Sequence, residues 1–263
     1  MTTVGSLERG LRILDLLIEV EADPVRKARG LSVQQVANEL ELHKSTASRM
    51  LQTLVSRGYA TPSRPSGRGY RLGPALQMYS TLRETRQRLS ELARPLLTEL
   101  VAQTGECAHT AVSAGTAVLV IDDVETTNPL RVVGGKGRKV PLHCTSAGKV
   151  LLAYGLATMP DELPSRTPRT ITNPQMLAIH LHEVAERGYG LDDEENDIGV
   201  RCISAPVFDG PGGAPLGCIG IDGPASRITP AVIDDFAGLV VTAAQQLTGR
   251  LGGKVSSSCP QSG

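Results

Sequence analysis

The sequence predicts an α+β protein of two domains, and three observations carry that prediction. Apolar residues in the first sixty positions recur at helical spacing, whereas from residue 106 onward they fall into strand-like runs separated by Gly and Pro turns. At 263 residues the chain exceeds one compact domain of the commonest size and suits two. Charge is partitioned as well: residues 1–95 hold 15 Lys and Arg against 9 Asp and Glu, the remainder 12 against 18, although the whole is formally neutral. A basic segment joined to an acidic one points to a polyanion-binding module coupled to something with a different task.

Composition narrows the class further. Forty per cent of the residues are hydrophobic, with no Trp and two Phe, so the cores must be aliphatic. Five scattered cysteines (Cys107, Cys144, Cys202, Cys218 and Cys259) form neither a disulfide framework nor a zinc-finger spacing. No apolar run approaches the ~20 residues of a membrane span, and the N-terminus lacks a signal-peptide pattern. A soluble, cytoplasmic protein without metal or cofactor is the expectation.

Residues 6–20 (SLERGLRILDLLIEV) put Leu7, Leu11, Leu14, Leu17 and Ile18 on one helical stripe behind a Ser6 cap. Residues 21–30 are polar, interrupted by Pro24, and read as a loop. Next, residues 31–59 (LSVQQVANELELHKSTASRMLQTLVSRGY) read as two short helices meeting at a turn. In the first, Val33, Val36, Ala37 and Leu40 share a face, Gln34 points outward, and Ser32 with Gln35 makes a capping box. In the second, Ala47, Met50, Leu51 and Leu54 are apolar, leaving Lys44, Ser45, Thr46, Ser48, Arg49 and Gln52 outside.

That outer face combines cations able to grip phosphate or a guanine edge with short hydroxyls and a Gln able to read bases. It matches a helix-turn-helix whose second helix is the reader, and equally an ordinary amphipathic hairpin with a solvated side. The flanks decide between them. Gly58 ends the second helix, Tyr59-Ala60 starts a strand, and residues 61–69 turn before Tyr70-Arg71-Leu72 returns. Such a hairpin is a wing, with Arg64 and Arg68 at its tip placed for phosphate or minor groove, and Arg57 nearby. Between residues 41 and 80, six cations face one anion. Three helices, a basic hairpin and this charge favour double-stranded DNA as the partner.

A long helical stretch follows to about Gly105, broken near Pro95, whose first half is too sparsely apolar for a core and reads as a linker packing on a second copy. A β-hairpin over Ala114-Gly115 comes next, and residues 130–133 suggest another short strand. Residues 145–155 form a helix, and Asn173-Pro174 caps a further one ending at Gly188. Residues 201–209 and 214–222 are strands, and Thr229-Pro230 opens a last helix. The order gives an antiparallel sheet with helices packed on it. The boundaries are 1–73 for the winged helix-turn-helix, 74–94 for the linker helix, 95–250 for the second domain, and 251–263 for a disordered tail.

The stretches SLERGLRILDLL, KSTASRMLQTL, YRLGPAL, PLHCTSAGKVLLA, RGYGLDDEENDIGVRCISAPVFD and GPASRIT together resemble the IclR family of bacterial transcriptional regulators over residues 6–248. The resemblance implies a C-terminal GAF-like effector domain, dimers or dimers of dimers on palindromic operators, and small organic acids or aromatics as effectors. It puts the effector pocket on Ser146, Ala147, Asp192, Val200, Cys202, Gly220 and Asp222. Ser146 and Ala147 open a helix, where free N–H groups and the dipole favour a carboxylate. Some acid-binding members carry serine where this chain has Gly220 and Asp222. An Asp there repels a carboxylate unless protonated or paired, which leaves an amine-bearing or hydroxylated effector open.

Rival readings rest on isolated fragments. Ser146 and Lys149 spell S-x-x-K, the nucleophile and base of some serine hydrolases, but the SDN and KTG motifs of that chemistry are missing. Gly148-Lys149 lacks the rest of a phosphate-binding loop. Asp192 to Glu195 read as a solvated loop rather than a metal cluster, and His109, His143, Cys144, Cys202 and Cys218 as satisfied core residues.

Overall fold

The computed structural model describes residues 5–63 and 69–252. It divides into two compact units, Met1–Thr85 and Arg86–Gly263. The wing-tip residues Arg64 and Arg68, and Cys259 with most of the expected tail, lie outside the described residues.

The first unit carries α1 (Gly5–Ala22), α2 (Pro24–Arg29), β1 (Leu31–Ser32), α3 (Val33–Glu39), α4 (Lys44–Ser56), β2 (Ala60–Pro62) and β3 (Gly69–Leu72). Ser32 caps α3 as expected: its side chain accepts from Gln35 N–H while Gln35 reaches back to Ser32 N–H, so two orphan donors are satisfied reciprocally. Helix α4 closes in a Schellman arrangement, with Gly58 N–H donating to Val55 O and Tyr59 N–H to Leu54 O, and Gly58 at φ +75° takes the left-handed position. Strand β3 pairs antiparallel with both β1 and β2, giving the wing. Gly73 closes it, because a Cβ there would sit 2.1 Å from Gly58 O.

Three expectations for this unit need correction. Ser6 lies inside α1, which starts at Gly5, so it is not the cap. The buried face of α1 is Ile13, Leu17 and Val20, packed on Val36, Ala37, Ala47 and Leu51, whereas Leu7, Leu11 and Ile18 are about half exposed or more. Both stripes have helical spacing, and only the partners α3 and α4 choose between them. Residues 24–29 are helical rather than loop: Pro24 is tolerated in a first turn, and Asp23 Oδ1 accepts from Arg26 N–H as a cap does.

Helix α5 (Pro74–Thr104) runs unbroken past Pro95. The ring removes one backbone donor, but Leu89, Ala93, Leu96, Leu97 and Leu100 are buried along the same face, and that packing outweighs the local cost. The second unit then adds β4 (Cys107–Ser113), β5 (Val118–Val124), β6 (Lys139–Val140), α6 (Ser146–Ala153), α7 (Pro174–Arg187), β7 (Gly190–Asp193), β8 (Val200–Phe208), β9 (Pro215–Pro224) and α8 (Ile233–Gly252). The strands form one antiparallel sheet in the order β6-β5-β4-β9-β8-β7.

Side chains alternate across this sheet. Ala108, Ile203, Ala205, Ile219 and Ile221 face α5 and α8, whereas Ala111 and Cys218 face Ala147, Val150 and Leu151 of α6 and Val184 of α7. The strand expected over residues 130–133 is absent and β6 takes the edge instead. Strand β7 was not expected, α8 begins three residues beyond Pro230, and Leu251-Gly252 still belong to it. No helix among the described residues is long and apolar enough to cross a membrane.

Candidate functional site

The first candidate surface is the outer side of α4. Lys44, Ser45, Thr46, Arg49 and Gln52 are exposed along it and Ser48 is half-buried, while Ala47 and Leu51 anchor the helix from beneath. Arg57 is exposed at the C-cap, and Gln34 is exposed on α3, its amide bonded to Asn38. Arg71, counted with the basic segment, is engaged with Glu21 at 3.1 Å. A groove runs between Ser6 and Arg9 of α1 and Thr46, Arg49, Met50 and Thr53 of α4. Ser6 and Arg9 thus flank the predicted reader, which the sequence reading missed, since only the tertiary packing brings the start of α1 there.

The second is a small cavity against the α6 side of the sheet. Six of the seven expected pocket positions line it: Ser146, Ala147, Asp192, Val200, Cys202 and Asp222. The elements supply them by simple rules. Thr145 caps α6, accepting from Gly148 N–H, so that Ser146 and Ala147 open the helix at the cavity wall. Gly148 lets α6 approach the preceding loop, because a Cβ would lie 2.2 Å from Leu142 O. Alternation along β8 and β9 turns Cys202 and Asp222 to the same face.

Gly220 does not line the cavity. It stands between His109 of β4 and Ser204 of β8 in register, and a Cβ would come 2.4 Å from Ser204 Oγ and 3.0 Å from His109 Cε1. The missing side chain lets His109 Nε2 and Ser204 Oγ meet across the strand at 3.4 Å. On its other side, His109 Nδ1 lies 2.9 Å from Asp222 Oδ2. His109 is a cavity residue the sequence reading treated as core; the signal was a Gly opposite a His, visible only once strand register is known.

Electrostatics follow from burial and pairing. Burial alone would lift the Asp222 carboxyl, but the His109 charge beside it and the bond from Cys202 outweigh it and hold it below its usual value. Burial works against the His109 imidazolium, yet Asp222 and, more weakly, Asp123 raise its pKa above 6.5. The Asp222 charge is therefore paired, which removes the obstacle to an anionic ligand raised by its side chain. Burial pushes Asp192 up to about 7, although its carboxylate accepts from Glu195 and Asn196 N–H. Arg138 and Asp197 complete the charged lining.

Residues 192–195 are not a solvated loop. Asp192 and Glu195 are buried, Glu195 pairs with Lys149 at 2.6 Å, and Asp193 and Glu194 hold Arg201 and Arg169. Lys149 Nζ points at Glu195 and His180, while Ser146 Oγ bonds Ser204 Oγ at 2.8 Å, so the S-x-x-K pair is not assembled as nucleophile and base. Burial drives the Cys202 thiol well up, so it is a poor nucleophile.

A winged helix-turn-helix followed by a sheet domain with a small cavity, apolar for the most part and carrying a few charged groups, defines a DNA-binding regulator with a ligand-sensing domain. Comparison with known proteins gives the family. The IclR helix-turn-helix domain matches residues 6–64, and the bacterial transcriptional regulator IclR C-terminal domain matches residues 83–249. The chain is 35% identical to the HTH-type transcriptional regulator BhcR of Paracoccus denitrificans, covering 91% of this chain and 87% of that protein. It is 30% identical to the transcriptional repressor IclR of Escherichia coli, over 95% and 91%. The crystal structure of Thermotoga maritima IclR superposes with a TM-score of 0.59 at 29% identity, covering 95% of this chain and all of that one. The chain belongs to the IclR family of transcriptional regulators and is not an enzyme. The comparisons give no support to the Ser146–Lys149 hydrolase reading.

Proposed function

We propose that the protein is a cytoplasmic repressor that binds a palindromic operator as a homodimer, or as a dimer of dimers, and is modulated by a small organic acid, amino acid or aromatic effector in the cavity beside α6. The observation that carries this reading is the convergence of Ser146, Ala147, Asp192, Val200, Cys202 and Asp222 from four elements onto one cavity. Helix α4 enters a major groove with Ser45, Thr46, Ser48, Arg49 and Gln52 toward the bases. Lys44, Arg57, Gln34 and the wing's Arg64 and Arg68 hold the backbone. Two copies sit about 34 Å apart or a multiple of it. The outward stripe of Leu7, Leu11 and Ile18, with Met78, Tyr79 and Leu82 exposed on α5, supplies apolar surface for a second copy. Repression is favoured because the Escherichia coli relative is named a repressor. Gel shifts with DNA from upstream of the gene, repeated across organic acids, amino acids and aromatics, test the reading. A shift that no effector alters counts against the cavity as a sensor.

A further inference from the structure

We propose that His109, Ser204 and Ser146 form one hydrogen-bond relay, with Asp222 as the counter-ion of His109, that makes the Ser146 hydroxyl a donor toward a ligand carboxylate, so that His109 is a positioning residue selecting carboxylates over amines. The inference rests on the reading of this cavity as the effector site and narrows its ligand class. The two hydrogen bonds are 3.4 Å from His109 Nε2 to Ser204 Oγ and 2.8 Å from Ser204 Oγ to Ser146 Oγ, and the Asp222 carboxylate stands 2.9 Å from His109 Nδ1 as an ion pair without hydrogen-bond geometry. Ser146 borders the cavity, whereas Ser204 is fully buried and has no other use for its hydrogen.

Each hydroxyl owns a single hydrogen, which makes the relay directional. With His109 as imidazolium, Nε2–H donates to Ser204, Ser204 donates to Ser146, and the Ser146 hydrogen is left for the cavity. With neutral His109 and Nδ1–H toward Asp222, Nε2 accepts from Ser204, Ser204 accepts from Ser146, and Ser146 offers the cavity lone pairs only. A carboxylate has no hydrogen to give and is disfavoured in that state; an ammonium or hydroxyl is favoured. The groups facing the ring are Asp222 and Gly220 from β9, Ser204 and Cys202 from β8, Asp123 from β5 and Ser146 from α6. Their balance raises the ring pKa from its ordinary value, which favours the donor state. Asp192 also titrates, at about 7, and an Asp192→Asn background removes it.

The test is calorimetric titration of the full chain with pyruvate, lactate and propionate, and with lactamide as the uncharged control, from pH 6 to 9 in the Asp192→Asn background. Carboxylate affinity is expected to fall about tenfold as His109 deprotonates, the loss of one charge-assisted bond, while lactamide shows no such fall. His109→Gln, whose amide donates at every pH, keeps carboxylate binding but abolishes the pH dependence. If that variant does not fold, Ser204→Ala cuts the same relay and likewise flattens the profile. Ala147→Leu, which fills the cavity, separates the two levels of the claim. Carboxylate binding that survives Ala147→Leu overturns the site. Binding lost in Ala147→Leu but with an unchanged pH profile in His109→Gln or Ser204→Ala overturns the relay while the site stands. Failure of all three carboxylates to bind at pH 6 overturns the relay too.

Discussion

Lys149 Nζ lies 2.6 Å from Glu195 Oε1, and the lysine is wholly buried. Its other neighbour is His180 Nε2 at 3.2 Å, a ring that burial and the Lys149 charge push down to about 4 and so keep neutral. The pair ties α6, which opens the cavity, to the segment that follows β7, the strand carrying Asp192. Removing one partner strands the other charge in the interior. Lys149→Met and Glu195→Leu are each expected to cost about 3 to 5 kcal/mol in denaturant unfolding, and the Lys149→Met/Glu195→Leu double variant to recover most of it. Additive losses in the double variant would argue that the pair is not coupled.

Readers of base edges and holders of phosphate differ in their salt response. Arg49→Ala is expected to lose about 1 to 3 kcal/mol on the operator while relaxing preference at one base position. Arg9→Ala, from the flank of the same groove, weakens operator and scrambled DNA alike and lowers the salt slope by about 1. Fluorescence anisotropy on both DNAs at several salt concentrations separates the two, and indistinguishable behaviour removes these roles.

Much of this fold is legible where the signal is local. The Ser32–Gln35 capping box, the Gly58 stop and the Asn173-Pro174 start are each settled within a few residues, and the structure has all three. What escaped the sequence depends on distant partners. The two apolar stripes of α1 are indistinguishable until α3 and α4 cover one of them. Pro95 stays within a helix because the core grips its neighbours, and Asp192 and Glu195 look solvated until Lys149 arrives from 46 residues away. The pocket was legible only through family resemblance, and His109 was missed because its role needs the β4–β9–β8 register.

Asp192 gives a pH signature. Its ordinary value is 3.8 and its folded value about 7, so between those values the folded chain holds a proton that the unfolded chain has released. Stability contributed by this group therefore declines as pH rises through that window. Asp192→Asn, which keeps the acceptor oxygen, should gain in melting temperature over the parent protein from about pH 4 to about pH 7 and level off above. A difference independent of pH contradicts the assignment.

The exposed stripe on α1 makes an assembly prediction. Leu7→Glu/Leu11→Glu puts two charges on surface proposed to meet a second copy, and light scattering should then report smaller particles with an unchanged thermal melt. Unaltered mass would place the interface elsewhere.

The central claim is that α4 and the wing lie along a double helix under the control of a ligand beside Ser146. Its most direct test is anisotropy of labelled DNA from immediately upstream of the gene, titrated with the full chain at low ionic strength, with and without the carboxylates above. The expected result is saturable binding that weakens steeply with salt and shifts at least about fivefold when a carboxylate is bound. The contradicting result is no binding at low salt, whatever carboxylate is present.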